Sequence, residues 1–399
     1  MFRATPHPQR GELLARAERL ATERFAPRAA GYDAASAFPD ENYRDLHEAG
    51  FTRMTVPASL GGLELDAPTY VRVLKTIAKA DGSTAMTLHM HSIISGIVAA
   101  LADEPQRARY LGEVVRRGTL IASFASEPAS SFRDVLLLGT TAERVPGGYR
   151  VNGYKHFCSM STAARYYVLW LALPGTSDAD AGLINLVVPS DAPGIEVLRT
   201  WDAIGMRATE THDIRLTDVF VPAEDQLGEP GAVVRRKLAD RFTLGYAAVY
   251  LGITEAAYEF IVEFAKTKRF QPDPRLVAAY PTVQQLIGRM SVEIESANLF
   301  LDRAAEAATL EDSAARTLAF NQSKYVSGEV AMRVTEAAMK LCGGRALLKT
   351  YPLERYIRDT RAAPLMPPSS ERCLETVGRL ALGLEAVTIR FVPGGATAR

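Results

Sequence analysis

Tyr149-Arg150-Val151-Asn152-Gly153-Tyr154-Lys155-His156-Phe157, entered through the turn Pro146-Gly147-Gly148, is the stretch that decides the fold class. Its period of two, joined by a Pro and Gly turn to the run 135–144, is the pattern of a β-hairpin. Outward from this hairpin, short runs of the same kind recur at 120–125, 166–172, 183–188, 195–199 and 213–221, separated by turn residues. About seven strands with no long helix between them predict a small barrel or sandwich and not a parallel dinucleotide-binding sheet.

Both flanks are helical. The segment from about residue 9 to 118 contains a long apolar run, 76–102, closed by Asp103-Glu104-Pro105, a carboxylate cap with proline in the next first turn. After residue 231 a first stripe carries Leu238, Phe242, Gly245, Val249, Gly252, Ala256 and Phe260, and a second carries Leu286, Met290, Ile294, Ala297 and Leu301. A third helix runs over 315–341 and stops at Gly343-Gly344, and a fourth follows Pro367-Pro368. The expected fold is therefore α+β and multidomain: an N-terminal α-helical domain over 1–118, a central β-barrel or sandwich over 119–230, and a C-terminal four-helix bundle over 231–399.

The 399 residues carry 46 basic and 46 acidic side chains, with no block of like charge. That balance supplies no electrostatic footprint for nucleic acid or an anionic membrane surface, so neither is expected as a partner. The longest apolar stretch, 93–102, is broken by Ser95 and Gly96 and falls short of the roughly 18 residues of a spanning helix. The first ten residues hold Arg3, His7 and two prolines without an apolar signal core, so a cytoplasmic location is expected. Cys158, Cys342 and Cys373 are too few and too scattered for a disulfide framework or a four-ligand zinc site, and read as small buried apolar residues. No metal site is expected.

Four local sequences carry a resemblance. Ser126-Glu127-Pro128 ends an apolar strand, and Val151-Asn152-Gly153-Tyr154-Lys155-His156-Phe157-Cys158-Ser159 follows it. Gly205-Met206-Arg207 with Asp218-Val219-Phe220-Val221-Pro222 closes the β region; Leu341-Cys342-Gly343-Gly344, Pro352-Leu353-Glu354-Arg355 and Arg358-Asp359 lie in the bundle. In this order they resemble the acyl-CoA dehydrogenase family of flavoenzymes. The resemblance implies a flavin oxidoreductase, with FAD as the expected cofactor and FMN as the alternative. It implies that Phe124, Ala125 and Ser126 line one edge of the ring, that Phe157, followed by Cys158, packs against it where the family commonly has Trp, and that Ser159 offers a hydroxyl near N5. It places Arg269 near the flavin pyrophosphate. It also turns Gly343 and Gly344, with Ser369, toward a neighbouring subunit's flavin, which makes the protein a homodimer or homotetramer.

Three departures bear on the chemistry. The family's Gly-Ser-Asp after Glu-Pro is here Ser131-Phe132-Arg133, so the acyl carrier need not be coenzyme A. Lys266-Thr267-Lys268-Arg269-Phe270-Gln271 replaces Arg-x-x-Phe-Gly. The usual catalytic Glu aligns with Pro367, which cannot abstract a proton, and the resemblance moves the base to Asp240, just before Arg241. Asp is one methylene shorter than Glu, about 1.5 Å of reach. Read without the resemblance, Asp240 is a helix N-terminal acid paired with Arg241 or Lys237.

The expected reaction is α,β-dehydrogenation of an acyl thioester, on CoA or another carrier, with a separate electron acceptor. The alternative is a monooxygenase that takes reduced flavin from a flavin reductase and acts on a small molecule with oxygen; there His89 is the candidate for proton transfer. His89 and His91, two apart on a helix, point roughly 200° apart and cannot form one metal site. A family member without chemistry, serving as a carrier or scaffold, is the third reading.

Overall fold

The computed structural model describes residues 2–128, 135–176, 182–386 and 390–393. In the N-terminal helical part, α1 (Ala67–Ala80) and α2 (Gly82–Leu101) are separated by one residue. Asp66 caps α1 by accepting from the Thr69 N–H, and Asp81 caps α2 by accepting from the Ser83 and Thr84 N–H groups. By length and composition α2 could cross a membrane, but 78% of its apolar window is buried inside the protein. It is the core helix that the rest of the fold encloses.

The central part is a curled sheet of β1 (Ile121–Phe124), β3 (Thr141–Val145), β4 (Gly148–Cys158), β5 (Tyr166–Ala172), β6 (Leu183–Pro189), β7 (Ile195–Val197) and β8 (His212–Pro222). Its order is β1-β5-β3-β4-β8-β7, with β6 paired to β5. The hairpin read from the Pro-Gly-Gly turn is present, β3 and β4 pairing antiparallel from Val145 opposite Gly148 to Thr141 opposite Asn152. The run 135–144, expected as one strand, divides at Gly139-Thr140. The amides of those two residues donate to the Glu127 carboxylate, at 2.6 Å from Gly139 and 3.1 Å from Thr140, and so leave the ladder. Its first half, β2 (Val135–Leu138), pairs in parallel with β9 (Arg390–Pro393), a strand that local patterning did not anticipate.

Beyond the sheet come α3 (Arg241–Thr267), α4 (Pro281–Ala307), α5 (Ser313–Cys342), α6 (Leu353–Thr360) and α7 (Ser370–Ala381). Two glycines of the α3 stripe mark where the bundle meets the N-terminal helices. A Cβ at Gly245 would lie 2.0 Å from the His89 ring, and one at Gly252 would lie 2.4 Å from the Lys75 carbonyl oxygen. Only glycine permits so close an approach. Cys158, Cys342 and Cys373 are buried and unpaired, as expected of small core residues.

Candidate active site

The end of β4 builds one half of the site. Lys155 points inward, its side chain 0% exposed, and its Nζ donates to Glu127 Oε1 at 2.6 Å and to the Trp170 carbonyl at 2.6 Å. Burial pulls the Lys155 ammonium below its ordinary value, and Glu127 opposes that pull. The charged residues of two separate motifs thus pair with each other. Their union holds the Ser126 segment against β4, where the His156 N–H donates to the Ser126 carbonyl at 2.9 Å.

Between Lys155 and Cys158 the register with β8 slips, and Phe157 takes φ +54°. A bulge of this kind re-aims side chains. Here it leaves the Phe157 ring 57% exposed. The His156 ring lies 3.9 Å away, centroid to centroid, and the Trp201 ring meets Phe157 edge-on at 6.4 Å. His156 Nδ1 is 2.7 Å from Asp213 Oδ1, and Tyr154 Oη donates to Asp213 Oδ2 at 2.7 Å. Ser159 Oγ lies 2.8 Å from Thr211 Oγ1. Sequence reasoning missed Trp201, Thr209, Thr211 and Asp213, because they belong to the facing strand and its approach and carry no motif of their own.

Two residues of this segment turn their side chains into the core. Phe124 is buried, its ring 4.7 Å from that of Tyr167, so the ring itself faces the core and not an open edge. Cys158 is likewise fully buried, and burial pushes its thiol well above the ordinary range. Ala125 and Ser126 are half-buried at the end of β1.

The bundle carries both positions weighed for the base, Asp240 and Pro367. Asp240 stands at the head of α3, its Oδ2 accepting from Thr317 Oγ1 at 3.3 Å. Burial raises its pKa above the ordinary carboxylate range, while Lys237, Arg316 and Arg241 pull it back. Pro367 lies in the loop before α7. That loop is pinned from beneath, Lys324 Nζ donating to the Ala363 carbonyl at 2.6 Å and Tyr250 Oη contacting Met366 Sδ at 2.8 Å. Burial brings the Lys324 ammonium down to about 8.

His89 is corrected by the structure. Its Nε2 sits 2.8 Å from the Phe242 carbonyl and must donate to it; its Nδ1 then accepts from Tyr70 Oη at 2.8 Å. With both nitrogens engaged and no exposed surface, burial drives its pKa down to about 3. A ring so held is a neutral join between α2 and α3, and it does not offer a proton to an open site.

Arg269 is exposed, and Arg345 Cζ stands 5.2 Å from the adjoining Phe270 ring, which brings the Arg269 and Gly343-Gly344 segments together. A Cβ at Gly343 or Gly344 would meet nothing within 4 Å in this chain. Ser369 caps α7, accepting from the Arg372 N–H at 3.4 Å. Ser131-Phe132-Arg133 falls outside the described residues. Among the described residues no group of three or more His, Cys, Asp or Glu side chains could hold a metal.

The Arg-Asp element joins all three parts of the molecule. Arg358 makes a two-pronged contact with Asp33, at 2.6 and 2.9 Å, and Asp359 Oδ1 accepts from the Met206 N–H at 2.6 Å. Burial lifts Asp359 from an ordinary value of 3.8 to about 7. An acid raised on folding contributes stability that is fully present below its unfolded value and is lost as pH climbs through its folded value. Asp359→Asn is therefore expected to remove a decline in stability between about pH 4 and 7, while Asp359→Ala, which orphans the Met206 N–H, costs about 1–3 kcal/mol. Urea midpoints measured across that range check both.

An exposed aromatic face, a peptide edge at Ala125 and Ser126, and a hydroxyl at Ser159 together fit a flat redox-active ring such as a flavin. Residues 8–117, 122–219 and 233–382 match the family models for the N-terminal, middle and C-terminal domains of acyl-CoA dehydrogenase. The putative acyl-CoA dehydrogenase YdbM of Bacillus subtilis (strain 168) is 30% identical, over 91% of this chain and 94% of its own length. Dibenzothiophene monooxygenase of Mycolicibacterium goodii is 25% identical, over 86% of this chain and 87% of that protein. The structure of butyryl-CoA dehydrogenase from Megasphaera elsdenii superposes with a TM-score of 0.86 at 24% identity, covering 95% of this chain and 99% of that one. The chain belongs to the acyl-CoA dehydrogenase family of flavin oxidoreductases.

Proposed function

We propose that this protein oxidises an acyl thioester by α,β-dehydrogenation, with Asp240 taking the α proton. The observation that carries this reading is a buried carboxylate, raised above its ordinary range, immediately before Arg241 at the head of α3. Burial makes Asp240 a stronger base than an exposed carboxylate, and Lys237, Arg316 and Arg241 oppose that rise. Phe157 provides the face against which the ring packs, the Ala125-Ser126 segment its edge, and Ser159 a hydroxyl toward N5. A bound flavin supplies the two-electron acceptor chemistry, and a separate redox partner reoxidises it.

FAD is proposed over FMN, because Arg269 then has a role at the flavin pyrophosphate, and Gly343, Gly344 and Ser369 have one against the adenylate half of a flavin in a neighbouring subunit. The open space over Gly343 and Gly344 supports that assembly, as a homodimer or homotetramer. So do Leu347, Leu348, Leu374 and Leu382, large apolar side chains left 48–77% exposed on the C-terminal part.

Pro367 at the family's usual base position favours a second reading, a monooxygenase supplied with reduced flavin. Anaerobic mixing of the purified yellow protein with a panel of acyl thioesters separates the two. Bleaching of the flavin by a thioester is the expected result. No bleaching, together with oxygen uptake and a hydroxylated product when reduced flavin is supplied, would overturn dehydrogenation.

A further inference from the structure

Behind Ser159 runs a chain of three hydroxyls. Ser159 Oγ is 2.8 Å from Thr211 Oγ1, Thr211 Oγ1 is 2.7 Å from Thr209 Oγ1, and Thr209 Oγ1 donates to the Met206 carbonyl at 2.8 Å. All three side chains are buried, at 9%, 6% and 3% exposure, so bulk water does not compete for their hydrogens. The chain ends on a carbonyl, which can only accept, and each hydroxyl has one hydrogen to give. Because Thr209 spends its hydrogen on Met206, Thr211 donates to Thr209 and Ser159 donates to Thr211. Ser159 is left with lone pairs alone on its free side.

We infer that the Ser159-Thr211-Thr209 chain is a directional relay that makes Ser159 a hydrogen-bond acceptor and thereby biases the protein toward reduced flavin. This rests on the reading above in which Ser159 faces N5. Oxidised flavin presents N5 as an acceptor and reduced flavin presents an N5–H donor, so an acceptor hydroxyl matches the reduced form. Reversing the chain forfeits the Thr209 hydroxyl bond to Met206. The Met206 carbonyl nevertheless keeps the Trp201 Nε1–H and the Thr209 N–H, each at 3.2 Å, so reversal is limited in cost to about one hydrogen bond. Thr209 and Thr211 are positioning residues: they act on the flavin only through Ser159.

The test is the ratio of affinities for reduced and oxidised FAD, read as the reduction potential of the bound cofactor by anaerobic dye equilibration. In Thr209→Val the chain loses its terminus, Thr211 turns its hydrogen toward Ser159, and Ser159 is free to donate outward. The preference for reduced FAD is expected to fall by about threefold to tenfold, on the order of 15–30 mV for a two-electron couple. Thr211→Val carries the same expectation should Thr209→Val fail to fold. Thr209→Ser, which keeps the hydroxyl, restores the wild-type ratio. Thr162→Val removes a neighbouring hydroxyl that bonds Glu210 instead, and leaves the ratio within twofold.

An unchanged ratio in both Thr209→Val and Thr211→Val, beside a lowered one in Ser159→Ala, overturns the relay and leaves the flavin reading intact. An unchanged ratio in Ser159→Ala as well overturns both, as does failure of the folded protein to take up FAD or FMN.

Discussion

Asp240→Asn slows flavin bleaching by an acyl thioester about 10²–10⁴-fold, the range expected when a positioned general base is removed. The substitution keeps the volume and the acceptor for Thr317 Oγ1, so folding and flavin content should be retained. What it removes is the basic charge. Because burial raises the Asp240 pKa, the acidic limb of the wild-type pH profile lies above the ordinary carboxylate range, with activity rising as pH passes through it. Lys237→Met takes away one of the cations that lower that pKa and moves the limb further up. Asp240→Glu adds about 1.5 Å of reach and tests whether the backbone at the head of α3 stands close enough for the shorter acid. Bleaching by Asp240→Asn at the wild-type rate would remove Asp240 from the reaction.

Lys155→Met costs about 3–5 kcal/mol of stability, measured by urea unfolding of the flavin-free protein. Burying two charges is costly on its own account, and the net worth of the pair against an apolar substitute is small. Breaking it from one side is another matter. The buried Glu127 carboxylate then loses the Lys155 ammonium, and the Trp170 carbonyl loses the hydrogen bond from Nζ. Lys155→Met combined with Glu127→Gln is expected to recover about 1–3 kcal/mol of the sum of the single losses, since the two side chains act as one unit. A single-variant loss below about 1 kcal/mol would show that the pair is not what holds the Ser126 segment on β4.

Several features of the site were legible residue by residue. The Pro146-Gly147-Gly148 turn announces the hairpin, and the period of the following run announces the strand that carries Phe157 and leads into Ser159. The stripe through Gly245 and Gly252 announces α3, although not that His89 and Lys75 fill the space those glycines leave open. The break at Gly139-Thr140 was not legible, because its cause is the carboxylate of Glu127, 12 residues away in sequence. The inward turn of Phe124 onto Tyr167 and the enclosure of His89 escaped for a related reason: a hydrophobic strand residue and a helix histidine look the same whether their side chains face a core or a cofactor.

By itself, the sequence determined the order of helical, β and helical parts, the hairpin at its centre and the helical stripes of the bundle. These are local properties, written in the spacing of apolar residues over a few turns of backbone. Only the tertiary structure decided that Lys155 pairs with Glu127, that Arg358 reaches Asp33 across 325 residues, and that the Ser159 hydroxyl ends a chain running toward Met206. Those depend on burial and on partners brought from distant segments. A charge or a hydroxyl acquires its protonation and its direction from what surrounds it, and no local pattern carries that information.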